Sequence, residues 1–346
     1  MLLARYRTAR RLRHGLRRIS PRPQPLLSAT FGGGVSHGGN DTHHRRRRLH
    51  RAASDRISAR RGGELYGLSR SPTVDLNLDR YYSCDVTDAQ AVREVVDEVR
   101  PTRVYHLVAC PTTATSPEIQ ATIVDGFRNL TAALERTNST TGRPTRMLVI
   151  GSAGELGQTG TRSLPAAEDA PCGPLADYGR AKLAVTRMSC ERGSLGGVEI
   201  LVARAFNLVG PGMGEMLSLG RFARQIASYR KGDADRIHCG NLSHRRDYVD
   251  VRDAVAGYAA VLERGRPGEI YNICSGRSWQ MSDLLRWMLR LADVDAPVES
   301  VDRSHPGDVV DVYGDPSKTA AECGWKASTP IERSLMDLLS AMPVSV

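Results

Sequence analysis

The sequence predicts an α/β fold: a doubly wound parallel sheet with a smaller, partly interleaved C-terminal lobe. Three observations carry this. Short apolar runs alternate with segments of helical periodicity, the runs are continuously apolar, and polar residues of chemical interest fall just past their ends. Continuous apolar strands imply a sheet covered on both faces, and such sheets bind ligands at the carboxyl ends of their strands.

The elements follow in order. Glu64–Ser69 (ELYGLS) reads as a strand. Asp88–Arg100 has helical spacing at Val92, Val95, Val96 and Val99, and Pro101 marks its end. Val104–Ala109 is a buried-strand run, 117–136 a helix, and Arg146–Gly151 a strand. A helix carrying Tyr178 and Lys182 precedes a strand at Val198–Arg204. Beyond residue 207 the pattern mixes helices at 216–230, 281–292 and 331–341 with short strands near 269–274 and 309–313. We therefore expect a cofactor-binding domain over 62–206 and a substrate lobe over 207–346, with some of its strands returning to the main sheet.

Composition narrows the function. The net charge is +10, but residues 1–61 hold sixteen arginines against Asp41 and Asp55, a net +14, so the body carries −4. Charge confined to one segment argues against a nucleic-acid partner. No apolar run approaches the roughly 18 residues of a membrane span. Seven scattered cysteines without a C-x-x-C pair read as reduced thiols in a cytoplasmic enzyme, with no metal site.

Tyr178-Gly-Arg-Ala-Lys182 puts a phenol and an ammonium on one helix face. A nearby ammonium favours phenolate, which predicts a lowered tyrosine pKa and a general acid/base for carbonyl–alcohol exchange. Lys182 is also placed to hold a nicotinamide ribose. Ser152, past a strand end, would hydrogen-bond the reacting oxygen. The two positions after that serine are Ala153 and Gly154, neither able to exchange a proton, and Glu155 stands one place further along.

VYHLVA (104–109), VIGSAGELG (149–157), LPAAEDAPCGPLADYGRAK (164–182), LVARAFNLVGPG (201–212), RRDYVDVRDAVAGY (245–258) and GEIYNICSG (268–276) together resemble the extended short-chain dehydrogenases, whose sheet is of Rossmann type. FARQIA (222–227) and YNICSG (271–276) are most similar to the GDP-4-keto-6-deoxy-D-mannose reductases, which form GDP-D-rhamnose. The resemblance implies NAD(P)H-dependent reduction of the C4 ketone of a GDP-4-keto-6-deoxyhexose. A nucleotide-sugar 4-epimerase is the alternative, and an inactive product of a damaged gene is a third reading. A GDP-mannose 4,6-dehydratase is disfavoured, because in those relatives the acid/base pair that expels the C6 hydroxyl directly follows the catalytic Ser or Thr, where this chain has Ala153 and Gly154. The resemblance implies catalytic Ser152, Tyr178 and Lys182, and cofactor contacts from Ser69, Arg70, Asp85, Val86 and Ala109 besides Tyr178 and Lys182. Substrate contacts fall to Asn207, Arg224, Arg246, His305 and Asp308. Arg246 sits where relatives grip the diphosphate, whereas His305 replaces an arginine and is a weaker, pH-dependent partner. The absence of an acid at Ser69, with Arg70 adjacent, leans toward NADP(H) over NAD(H). A homodimer through the tyrosine-bearing helices is also implied.

The family opens with a strand and a T-G-x-x-G-x-x-G loop, and nothing of that kind stands before Gly62. Gly32-Gly33-Gly34 is a loose cluster, and HHRRRRLHR (43–51) cannot form a buried strand. Histidine codons are CAT or CAC, and arginine codons mostly CGN. Advanced by one base, residues 43–51 permit I-T-G-A-A-G-F-I-G, and His37-Gly38 permits a start codon. We expect residues 1–61 to be out-of-frame translation that replaces the first strand and glycine loop, with the frame restored near Arg61–Gly63. An Arg-rich targeting segment or a disordered basic arm is the competing reading. The chain as written is expected to bind cofactor weakly.

Overall fold

The computed structural model describes residues 26–30, 64–71, 78–111, 113–158, 160, 162–301 and 308–342. Its centre is a seven-stranded parallel sheet. In chain order its strands are β1 (Leu26–Thr30), β2 (Leu65–Ser69), β3 (Arg80–Ser83), β4 (Arg103–Leu107), β5 (Thr145–Ser152), β6 (Val198–Ala205) and a late strand (Ile270–Ile273). They lie in the order late strand, β6, β5, β4, β1, β2, β3. Adjacent residues on one strand serve opposite faces. Val104, Met147 and Ile200 join one core, while Tyr105, Leu148 and Leu201 join the other. Both faces are covered, which is why these strands read as unbroken apolar runs.

The first core is closed by α1 (Ala89–Val99), by a helical rod α2 and by α3 (Asp177–Arg192). The rod α2 runs through Ser116–Ile119, a π-turn at Gln120–Asp125 and Gly126–Thr141. Asp88 caps α1 by accepting from the amides of Gln90 and Ala91, both at 3.0 Å, and Arg100 ends it in the left-handed conformation. The second face is covered by α5 (Val251–Arg264), whose Tyr258 and Val261 pack on Leu201 and Tyr271.

The strand Leu26–Thr30 corrects an expectation. It pairs in parallel with both β2 and β4, with Ala29 opposite Leu68 and His106, and so fills the sheet's centre from within the arginine-rich segment. The run LLSAT carries no charge, unlike HHRRRRLHR, and sheet pairing excludes only the latter. The glycine cluster and residues 43–51 lie outside the described residues.

The remaining strands are short: β7 (Asn207–Val209), β8 (Ile237–Cys239), β9 (Arg245–Arg246), β10 (Tyr248–Asp250), β11 (the late strand, Ile270–Ile273), β12 (Trp279–Gln280), β13 (Val298–Ser300) and β14 (Asp311–Val312). β7 pairs with β10 and β8 with β13, and β9 lies between β12 and β14. Around them pack α4 (Ser218–Arg230), α6 (Met281–Leu291) and α8 (Ile331–Ser340), through Phe222, Leu284, Met288 and Leu335, and α7 (Ser317–Cys323) lies near the late strand. None of the described helices is long and apolar enough to cross a membrane. All seven cysteines are free, and the described residues hold no cluster fit to bind a metal.

Candidate active site

Ser152 is the last residue of β5, and its hydroxyl oxygen accepts from the Gly154 amide at 3.1 Å. Its own O–H is left to donate. Tyr178 and Lys182 sit one turn apart on α3, with the ammonium 5.8 Å from the centre of the phenol ring. Gly179 is what lets this helix reach the serine loop. A Cβ there would stand 2.5 Å from the Gly154 carbonyl oxygen. The glycine after the tyrosine thus seats α3 directly on the turn that follows Ser152.

Lys182 is buried and donates to the carbonyls of Val108 (2.8 Å) and Ile150 (2.7 Å), at the ends of β4 and β5. One N–H remains for a ligand. Burial lowers its pKa to about 8, against the opposing pull of Glu155 and Cys110. The Tyr178 phenol moves the other way from expectation. Burial, Cys110 and Glu155 push it up to about 12, so desolvation outweighs any help from the ammonium. The group is held as a proton donor.

Glu155 explains itself only in three dimensions. It is fully buried and accepts from the Ser152 amide (2.7 Å), the Thr186 hydroxyl (3.1 Å) and the Arg204 guanidinium (3.2 Å). The sequence marks Glu155 only as one place removed from a dehydratase acid, and it does not single out Arg204. The signal available was two charges inside apolar strand-ends, with Arg204 in register beside Gly151.

The residues expected to meet the cofactor line the carboxyl ends of β2, β3 and β4. Ser69 is buried, its hydroxyl 2.7 Å from that of Tyr81. The Arg70 guanidinium lies 3.8 Å from the Asp85 carboxylate, which also accepts from Thr87. Val86 is buried against Gly126, and Ala109 follows the carbonyl that takes Lys182.

On the lobe side, the Asn207 amide donates to the Asp247 carbonyl at 3.0 Å. Arg246 on β9 is half-buried and donates to the carbonyls of Arg245 and Val310. Burial pulls its pKa down, with Tyr248, Asp311 and Asp308 opposing. Asp308 lies 3.8 Å from the His244 imidazole, a neighbour the sequence did not suggest. Arg224 is exposed on α4 and pairs with Glu215 at 3.0 Å. His305 lies outside the described residues. Asp247 was also missed. Its carboxylate accepts from the amides of Ser275, Gly276 and Gly314, tying together the loops behind Arg246.

Residues 46–274 match the model of the NAD dependent epimerase/dehydratase family. A GDP-6-deoxy-D-mannose reductase of Pseudomonas aeruginosa is 32% identical over 195 residues, 56% of this chain. The match spans 64% of that relative, under two thirds of its length. Among solved structures, RMD from Pseudomonas aeruginosa complexed with NADPH superimposes with a TM-score of 0.70 at 23% identity, covering 91% of this chain and 98% of the other. A UDP-glucose 4-epimerase from Thermotoga maritima, with UDP-glucose, gives 0.71 at 19% identity over 91% and 98%. At these identities the structural likeness speaks for the fold.

Proposed function

The chain belongs to the NAD dependent epimerase/dehydratase family of extended short-chain dehydrogenases, and on that premise we propose that it reduces the C4 ketone of a GDP-4-keto-6-deoxyhexose with NAD(P)H. The observation that carries this reading is the fate of the three positions after Ser152. Ala153 and Gly154 bear no proton-exchanging group, and Glu155 is buried in an ion pair with Arg204. Expulsion of a C6 hydroxyl needs an acid and a base at the sugar, and this loop offers neither. Ketone reduction needs only the serine, tyrosine and lysine.

The cofactor supplies a hydride to C4 when bound. Ser152 orients the ketone oxygen by donating its O–H. Tyr178, held protonated with a pKa of about 12, delivers the proton to that oxygen. Lys182 then faces the resulting phenolate with its charge. In this reading Arg246 would grip the diphosphate in a bidentate manner and Asn207 would meet the sugar–phosphate, as the family resemblance implies. The named relative, a GDP-6-deoxy-D-mannose reductase, supports the substrate class.

The residues present suit a nicotinamide dinucleotide at two of its ends. Lys182 keeps one donor free beside the strand ends, and Arg70, half-exposed and 3.8 Å from Asp85, offers a guanidinium to a 2′-phosphate, with no acid at the strand-end position Ser69 or directly after it. This favours NADP(H). The stretch between β1 and β2, where the family carries its pyrophosphate-binding loop, lies outside the described residues, and for it the out-of-frame reading is our proposal. Sequencing the gene across codons 30–65 tests it, since an intact frame in independent DNA rules it out.

Incubation with GDP-mannose and oxidised cofactor tests the reductase reading. We expect no 4-keto-6-deoxy sugar. Its formation would return the chain to the dehydratases, and interconversion of C4 epimers without net cofactor turnover would make it an epimerase.

A further inference from the structure

Resting on the reading of Ser152 and Tyr178 as the groups that meet the ketone oxygen, we propose that Glu155 and Arg204 form a positioning pair that holds Ser152 in register with Tyr178. The carboxylate touches the two elements that carry Ser152 and Tyr178, β5 and α3, and the neighbouring strand β6. One oxygen, Oε1, accepts from the Ser152 amide on β5 and from Thr186 on α3. Thr186 lies one turn beyond Lys182, which lies one turn beyond Tyr178, so this is the face of α3 that carries the chemistry. The other oxygen accepts from Arg204 on β6, which is itself anchored by donating to the Glu168 carbonyl at 3.0 Å.

The surrounding sequence is shaped to admit the carboxylate. A Cβ at Gly151 would lie 2.7 Å from Oε1 and 3.3 Å from the Thr186 hydroxyl, so glycine leaves room for the clamp. Both charges are sealed from water, with 0% of the Glu155 side chain and 1% of that of Arg204 exposed. A buried pair of this kind adds little net stability over an apolar replacement, and it fixes geometry at the cost of desolvation. Here the geometry fixed is the backbone of Ser152 relative to α3. Glu155 meets no ligand and acts through its neighbours.

The pair also carries an electrostatic signature. Among the described residues, Cys110 after β4, His106 on β4, Glu155 after β5 and Tyr258 on α5 are titratable groups that face Tyr178 and Lys182. Glu155 raises the pKa of both.

The test compares E155Q with the double variant E155Q/R204M, which also removes the arginine that E155Q leaves buried and unpaired. We expect both to keep KM for the sugar nucleotide within about twofold and to lose at least about tenfold in kcat, because small displacements of reacting groups are expensive. The double variant should regain the melting temperature that E155Q loses. Recovery of kcat along with the melting temperature in the double variant would overturn the proposal, and if E155Q fails to fold the double variant decides alone. If the wild-type chain turns over no 4-keto sugar, the substrate reading falls, and the pair is judged by ultraviolet titration of Tyr178 against a Y178F blank. The phenolate step should then move to lower pH in E155Q. An unmoved step overturns the pair.

Discussion

Substituting Gly179→Ala should cripple turnover while leaving the fold standing. The new Cβ would sit 2.5 Å from the Gly154 carbonyl oxygen and 3.0 Å from the Pro174 side chain. Ordinary contact begins near 3.4 Å, so helix and loop must part by roughly 0.9 Å. Both the carbonyl and the helix are backbone, and no side chain can swing aside to relieve the clash. That parting acts on the joint between Tyr178 and Ser152. A misplacement of about 1 Å can cost about 100-fold in rate, which sets the expected loss in kcat at about 10- to 100-fold. Overpacking costs about 1–3 kcal/mol, and replacing a helical glycine by alanine returns about 1 kcal/mol. Net destabilisation is therefore about 0–2 kcal/mol, a shift of a few degrees at most in a chain this long. Steady-state cofactor oxidation and thermal melting measure the two effects separately. A variant that turns over within twofold of wild type would refute the claim that this contact sets the tyrosine–serine geometry.

Lys182, with a pKa of about 8, is charged below that pH and neutral above it, so kcat/KM for reduction should fall as pH rises beyond about 8, and a flat profile to pH 10 would contradict its electrostatic role. His106 is buried with its pKa lowered to about 3, first by burial and then by Lys182, and among the described residues neither ring nitrogen has a hydrogen-bond partner. Below pH 6.5 the unfolded chain takes up a proton that the folded chain refuses, so stability drains away as pH falls from 6.5 toward 3. His106→Leu should therefore raise the melting temperature, and by more at pH 5 than at pH 8. An equal gain at both would show that the imidazole is not held neutral. Arg70→Ala should raise KM for NADPH about tenfold while leaving KM for NADH near wild type, measured by initial rates with each cofactor.

Much of this was legible in the sequence because it depends on local pattern. Valines at 92, 95, 96 and 99 and the Asp88 cap specify α1 to within a residue, and the apolar runs at 146–151 and 198–204 mark the strands that the structure bounds at Thr145–Ser152 and Val198–Ala205. The Y-x-x-x-K spacing fixes a shared helix face wherever the helix goes. What the sequence hid depends on partners distant along the chain. β3 is Arg-Tyr-Tyr-Ser, a sheet-edge strand with no apolar run, and β9 is two arginines held by β12 and β14. Leu26–Thr30 is an unremarkable run that only its pairing with β2 and β4 makes central. The rise of the Tyr178 pKa was misjudged for a similar reason. Spacing reveals the neighbouring ammonium, but desolvation depends on everything packed around the phenol. Glu155 looked like a misplaced dehydratase acid until Arg204 and Thr186 closed on it.

Transfer of deuterium from NADPH labelled at the reactive C4 position tests the central claim most directly. With a GDP-4-keto-6-deoxyhexose, the account predicts one deuterium at sugar C4 for each cofactor oxidised, and loss of the reaction in Y178F. Cofactor consumed without label at C4, or a C4 product formed with the label still on the cofactor, would contradict it.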